Sequence, residues 1–122
     1  MFINDNVFDN GLAWAVANAS RIDICTQEPT TYAEATSTHS VGNKTGITLA
    51  APSNGATDGR AVSNPEITDG SVTGDGTATH WAVTDGSGVL IATGSLASGQ
   101  AVINGNTFTV APLVVAAIRD AA

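Results

Sequence analysis

The sequence predicts a mainly β protein, an antiparallel β-sandwich or small jelly-roll-like barrel with one N-terminal helix, and three observations predict it. The composition is rich in Thr, Ser, Gly, Ala and Val and poor in Glu, Lys and Leu, the reverse of what exposed helix faces need. Beyond residue 20, apolar residues recur with a period of two. Glycine-containing turn dipeptides, Asn54-Gly55, Asp58-Gly59, Asp85-Gly86 and Asn104-Gly105, separate the alternating runs. With 122 residues, 43% of them apolar, the chain is long enough for one core and too short for two ordinary ones. The expected organisation is a single domain over residues 1–122, with an N-terminal arm and helix over 1–19 and a β-sandwich over 20–122.

The helix is expected over residues 6–19, where Val7, Phe8, Leu12, Ala15, Val16 and Ala19 recur at helical spacing behind the capping cluster Asn4, Asp5 and Asn6. Gly11 inside it costs about 1 kcal/mol relative to Ala, so it should mark a bend or a close backbone approach. Ile22 and Ile24 alternate with Asp23 and Cys25 in a half-buried first strand that Pro29 ends. Residues 30–44 show no periodicity and read as a long surface loop, with room for a short edge strand near Tyr32. Ile47 and Leu49 begin the next strand, and Val62 to Thr68, containing Pro65, reads as an edge strand.

The second half is clearer. Thr77, Thr79, Trp81 and Val83 share one face of a strand, Asp85-Gly86 turns the chain, and Val89 to Thr93 returns as a hairpin. Gly94-Ser95-Leu96 bends away into Gln100 to Ile103. Asn104-Gly105 turns into Thr107 to Val110, with Phe108 and Val110 inward, and Leu113 to Ile118 is the last of about eight strands. Phe8, Leu12, Trp14, Trp81 and Phe108 are the expected core anchors.

Charge narrows the function classes. Four basic against eleven acidic residues give a net charge of −7, the wrong sign for tracking phosphates, so nucleic acid is not an expected partner. The longest strongly apolar run, Leu113 to Ile118, is far below the roughly 18 to 20 residues of a membrane-spanning helix. The first basic residue is Arg21 and polar residues interrupt residues 4–10, so a secretory leader is not expected and the chain should be made in the cytoplasm. A lone cysteine, Cys25, supplies neither a disulfide nor a Cys-based zinc site.

No residue set carries chemistry convincingly. Cys25 has no His-containing motif near it and reads as a small buried hydrophobe, His39 as a solvated loop residue, and His80 as an edge or capping hydrogen-bonder. The run from Asp69 to Gly76 offers oxygens from Asp69, Ser71 and Asp75, but His80 stands at the twelfth position where a calcium loop needs a bidentate Glu. There is no phosphate-cradling Gly-x-x-x-x-Gly-Lys and no Gly-x-Ser-x-Gly elbow. An enzyme, a cofactor and a metal are therefore not expected.

Thr79-His80-Trp81-Ala82-Val83, Asp85-Gly-Ser-Gly88, Leu90-Ile-Ala-Thr-Gly94-Ser-Leu96 and Gly105-Asn-Thr-Phe-Thr-Val110, with the helix and Arg21 to Thr26 before them, resemble small virion structural proteins of tailed bacteriophages. Those relatives are tail-fibre-like or head-decoration proteins. The resemblance implies a non-enzymatic capsid decoration (cement) protein on the outside of the head, located in the virion. Its implied partners are the major capsid protein or other virion proteins, together with further copies of itself as a trimer or another symmetric contact. A tail-fibre or baseplate component is the alternative within virions. A carbohydrate-binding module is the alternative of another class, disfavoured because two Trp, one Tyr and three Phe, mostly assigned to the core, leave no aromatic row for sugars.

Met1, Phe2 and Ile3 precede the capping cluster and form a candidate docking arm. The arm either folds back as a hydrophobic staple or inserts into a groove on a neighbouring protein.

Overall fold

The computed structural model describes residues 11–54 and 60–118, and they form a curled antiparallel sheet, a smaller second sheet and one short helix. In chain order these are α1 (Leu12–Asn18), β1 (Arg21–Cys25), a π-helical turn (Glu34–Thr38), β2 (Ser40–Thr45), β3 (Ser53–Asn54) and β4 (Arg60–Asn64). β5 (Ile67–Val72), β6 (Gly76–Thr84), β7 (Leu90–Val102), β8 (Thr107–Val110) and β9 (Leu113–Ile118) complete the order. The six-stranded sheet runs β7-β6-β1-β2-β5-β8 and the three-stranded sheet runs β3-β4-β9.

One core cluster draws on both sheets and the helix: Leu12 and Ala15 from α1, Ile22 and Ile24 from β1, Trp81 and Val83 from β6, Phe108 and Val110 from β8, and Val62, Val115 and Ala116 from the small sheet. Each fully buried large apolar side chain contributes about 1.5–3 kcal/mol over leaving it in water. β1 lies at the centre, pairing Ile24 with Gly42 on one side and with Trp81 on the other.

Several sequence expectations are corrected. Within the described residues the helix starts at Leu12, and Gly11 is its N-cap with φ +74°, so glycine serves a left-handed entry rather than a bend inside a longer helix. Phe8 and the Met1–Ile3 arm lie outside the described residues. Trp14 is half-buried and packs against the rim of the core.

β1 is covered on both faces. Cys25 is buried, as its reading as a small buried hydrophobe expects, and Asp23, on the polar side of the expected half-buried strand, is buried with it beneath residues that were expected to form a loop. Thr31 and Glu34 open this cover as a capping pair: the Glu34 amide donates to Thr31 Oγ1 at 3.1 Å and Glu34 Oε1 accepts from the Thr30 amide at 2.9 Å. The chain then closes a π-turn, His39 N–H to Glu34 O at 2.9 Å, and drops Ala35 onto Cys25, Ala82 and Leu90 as a second small cluster.

Residues 40–45 form β2, an interior strand between β1 and β5, although their polar sequence hides it. Ile47 and Leu49 lie in irregular chain, Leu49 still buried. Pro65 separates β4 from β5, which belong to different sheets, so the expected single edge strand over 62–68 is divided where proline cannot donate. The β6–β7 ladder shifts register between Ala78 and His80, and Ala78 rather than Thr77 or Thr79 joins Trp81 and Val83 in the core. β7 is one strand through that shift, where a bend away was expected.

Candidate functional site

β7 and β8 are consecutive and joined by a tight turn, yet they pair with different partners. The turn is pinned elsewhere: Asn106 N–H donates to Ile103 O at 3.1 Å, Val72 N–H to Asn106 O at 2.9 Å, Gly105 N–H to Val72 O at 3.0 Å and Asn104 N–H to Asp75 Oδ1 at 2.8 Å. Tied to the end of β5, the turn sends β8 along β5, where Ser71 faces Thr107 and Gly70 faces Phe108. β7 meanwhile stays on β6. The edges of the curled sheet therefore diverge from the turn and leave a notch between them.

Two cavities occupy this notch. One, of about 400 Å³, lies beside the turn between Gln100–Ile103 and Asn106–Thr109, with Val72 behind it. The other, of about 290 Å³, lies farther along, between Leu96, Ala97 and Ser98 of β7 and the segment from Thr109 through Ala111 and Pro112 to Leu113. Ile24 and Val110, both buried, reach its floor. No charged side chain lines either cavity among the described residues. Ile103, at the turn, is 63% exposed, the most exposed of the three large apolar side chains Ile103, Val114 and Ile118.

Of the residues weighed for chemistry, Cys25 and His80 face each other as partners in the β1–β6 ladder, each hydrogen-bonded to a different group, and His39, Asp69 and Asp75 make contacts of their own. Cys25 donates to the Ala35 carbonyl at 3.5 Å, and burial, followed by the nearby Asp23 carboxylate, pushes its thiol up to about 12. His39 Nε2 stands 2.9 Å from Gln27 Nε2 and 3.9 Å from Glu34 Oε1. His80 Nδ1 is 2.9 Å from Thr79 Oγ1, which donates to the Thr26 carbonyl at 2.9 Å. Asp69 accepts from Lys44 Nζ at 2.9 Å across β2 and β5, while Asp75 holds the β7–β8 turn. Among the described residues no three His, Cys, Asp or Glu side chains stand together as a metal-holding group.

Among the described residues, the buried ionic group is Asp23. Arg21 donates to it twice, at 2.7 and 2.9 Å, and Ser40 Oγ once at 2.7 Å, while the same guanidinium reaches the Thr36 carbonyl at 3.3 Å. The hydrogen bond to Asp23 raises the Arg21 pKa above its ordinary value. This network ties β1 to β2 and to the π-turn, and none of Arg21, Asp23, Thr36 and Ser40 lines either cavity of the notch. Its arrangement is structural.

Leu12, Trp81 and Phe108 sit in the core, Trp81 at 3% exposure. The notch was not foreseen. The turn at Asn104-Gly105 was readable, but the partner exchange that opens the notch is set by hydrogen bonds to Val72 and Asp75, distant in sequence.

Comparison with known proteins finds no matching family model, no matching curated sequence and no matching solved structure.

Proposed function

We propose that this chain is a non-enzymatic structural subunit of a tailed-bacteriophage virion, a decoration protein that binds the outside of the head and ties neighbouring capsomers together. The observation that carries the reading is the resemblance of residues 79–110, the stretch that builds the β6–β7 hairpin and β8, to small phage virion proteins. The curled sheet is consistent with that role. A rigid β scaffold presents small uncharged surfaces, and many copies on a lattice turn weak contacts into firm attachment without any single strong site.

The test mixes purified protein with phage heads stripped of decoration. Saturable binding with a copy number matching the capsomer lattice, accompanied by greater resistance of the heads to heating, is expected. Binding to tails or baseplates instead would move the assignment to the runner-up, and binding to neither would overturn the virion reading. Deleting residues 1–3 addresses the arm: a docking arm predicts an unchanged melting temperature and lost binding, whereas earlier melting with binding intact makes it a staple.

A further inference from the structure

We propose that Asn104 is a site of covalent self-modification, deamidation through the backbone nitrogen of Gly105, which the hydrogen bonds tying the β7–β8 turn to β5 and Asp75 hold off and which, once it occurs, breaks that tie for good. Water is the one co-reactant.

The Asn104-Gly105 pair supplies the chemistry. The Gly105 nitrogen attacks the side-chain carbonyl carbon of Asn104, the new N–Cγ bond replaces the Cγ–Nδ2 bond, and the Gly105 amide proton leaves with the amino group as ammonia. Water then opens the five-membered imide. Attack at the former side-chain carbonyl gives aspartate, and attack at the former main-chain carbonyl gives isoaspartate, in which the backbone runs through the side chain. Glycine at 105 favours ring closure because no Cβ shields its nitrogen.

The fold opposes the first step twice. Asn106 N–H donates to Ile103 O at 3.1 Å, Gly105 has φ +94°, and no non-glycine residue among those described has a positive φ, which is the pattern of a type II turn with Asn104 second and Gly105 third. Such a turn holds ψ of its second residue at about +120°, turning the Gly105 nitrogen away from the Asn104 Cβ, whereas the imide ring needs the two eclipsed. The nitrogen is also engaged. Gly105 N–H donates to Val72 O at 3.0 Å, so it can neither lose its proton nor swing toward Asn104 without giving up that bond. Asp75 secures the preceding amide, its Oδ1 accepting from Asn104 N–H at 2.8 Å. Asn104 itself is exposed, so water reaches its side chain and ammonia can leave.

The turn must therefore come off Val72 and Asp75 before the reaction starts. This opening is local, because β6, β1 and β2 keep their ladders while the turn swings out.

The product cannot re-form the tie. Isoaspartate inserts one extra carbon between the nitrogens of residues 104 and 105, so the two amides that fit Asp75 and Val72 no longer match both acceptors at once. Either product also places a carboxylate on the residue whose amide is bonded to the Asp75 carboxylate, and like charges that close repel. Deamidation thus releases the turn, and the notch between β7 and β8 loses the anchor at its closed end.

The experiment ages the full chain at mildly alkaline pH, folded and also fully unfolded in urea, and maps its peptides by mass spectrometry. Deamidation exchanges an amide NH2 for OH, and aspartyl and isoaspartyl peptides separate by chromatography. Unfolded, Asn104 should react as fast as Asn10 and Asn54, which glycine also follows. Folded, it should lag its own unfolded rate at least about tenfold, the factor to which a hydrogen bond to a charged acceptor corresponds. Asp75→Ala, at an exposed position, removes that acceptor and should speed folded Asn104 at least about threefold. Gly94→Ala, which strains the β6–β7 ladder away from the turn, should leave the rate unchanged. Folded Asn104 that reacts as fast as unfolded, Asp75→Ala no faster than wild type, or equal acceleration by both variants would each overturn the proposal, the last because the reaction would then follow global unfolding.

A second measurement reads the product. In a chain carrying Asn10→Gln and Asn54→Gln, whose longer side chains cyclise far more slowly, the aged molecules with one extra negative charge are collected by anion exchange. Amide hydrogen exchange at Val72 and Gly105 should be at least about tenfold faster in them than in the fresh chain, with the β1–β6 ladder from Arg21 to Cys25 equally protected in both. Unchanged protection at Val72 and Gly105 would show that the modified turn stays tied and would overturn the proposal.

Discussion

Trp81 on β6 lies flat across Gly94, its partner on β7, so closely that a Cβ on Gly94 would stand 2.6 Å from the indole ring. The same relationship recurs at the other side of the sheet, where Phe108 on β8 covers Gly70 on β5 and a Cβ there would stand 2.2 Å from the phenyl ring. The outermost ladder at each side of the six-stranded sheet is thus closed by an aromatic ring over a glycine, which lets the ring pack on bare backbone as the sheet curls.

Gly94→Ala and Gly70→Ala are therefore expected to destabilise the protein by about 1–3 kcal/mol each, the cost of forcing an atom into a packed site. Chemical denaturation reads the effect. Combining Gly70→Ala with Phe108→Leu should recover part of the loss, and a strictly additive double variant would mean that ring and glycine are not coupled.

Arg21→Ala should cost about 3–5 kcal/mol, because it strands the fully buried Asp23 carboxylate. The paired variant Arg21→Met with Asp23→Leu, which removes both charges, should be distinctly more stable than Arg21→Ala alone. Equal denaturation midpoints for the two would show that the ion pair is not what Arg21 supplies.

Acid should loosen the β6–β7 hairpin through Asp85. Burial by itself raises this carboxyl, but the amides of Val89, Ser87 and Gly88, all donating to Oδ1 within 3.0 Å, outweigh it and leave the pKa lowered from 3.8. Stabilisation by a carboxylate with a depressed folded-state pKa is complete above the unfolded value and disappears as pH falls through the folded one. Asp85→Asn should therefore flatten the pH dependence of the melting temperature below about pH 4. A wild-type and variant profile of identical shape would contradict this.

Cys25 should resist thiol reagents in the folded protein at pH 8 and react on denaturation, since burial pushes its pKa from 9.0 up to about 12. Its linkage has the opposite sign to that of Asp85. The unfolded chain releases the proton first, so stability contributed by the buried neutral thiol declines as pH rises between those two values, and Cys25→Ala should remove that decline. Rapid labelling of the native protein would show the strand to be open.

Legibility from sequence followed the range of the interactions. The Asp85-Gly86 and Asn104-Gly105 turns, the inward Phe108 and Val110, and the last strand were readable because turn dipeptides, alternation and an apolar run mark them locally, although β8 and β9 complete their ladders with the distant β5 and β4. β2 was not, because Ser-Val-Gly-Asn-Lys-Thr lacks alternation and is a strand only through ladders to β1 and β5 on either side. The cover over Asp23 and Cys25 did leave a local sign, the Thr31-x-x-Glu34 pair, unread beside the Ser/Thr-rich composition around it. The candidate site was the least legible part. The notch depends on Val72 and Asp75 capturing a turn some thirty residues away.

The position of β1 has a consequence for how the molecule is made. β1 needs Ser40–Thr45 on one side and Gly76–Thr84 on the other, so its second ladder joins Arg21 to Thr84 and Cys25 to His80. At about 5–20 residues per second, a ribosome takes several seconds to deliver that second partner after β1 has emerged. Throughout that interval the apolar Ile22 and Ile24 await a neighbour that has not been synthesised. Non-local pairing of this kind also slows refolding toward the millisecond-to-second range of all-β domains. The nascent chain thus spends its most aggregation-prone period with its future central strand as an open edge, and demand on chaperones should fall once translation passes Thr84.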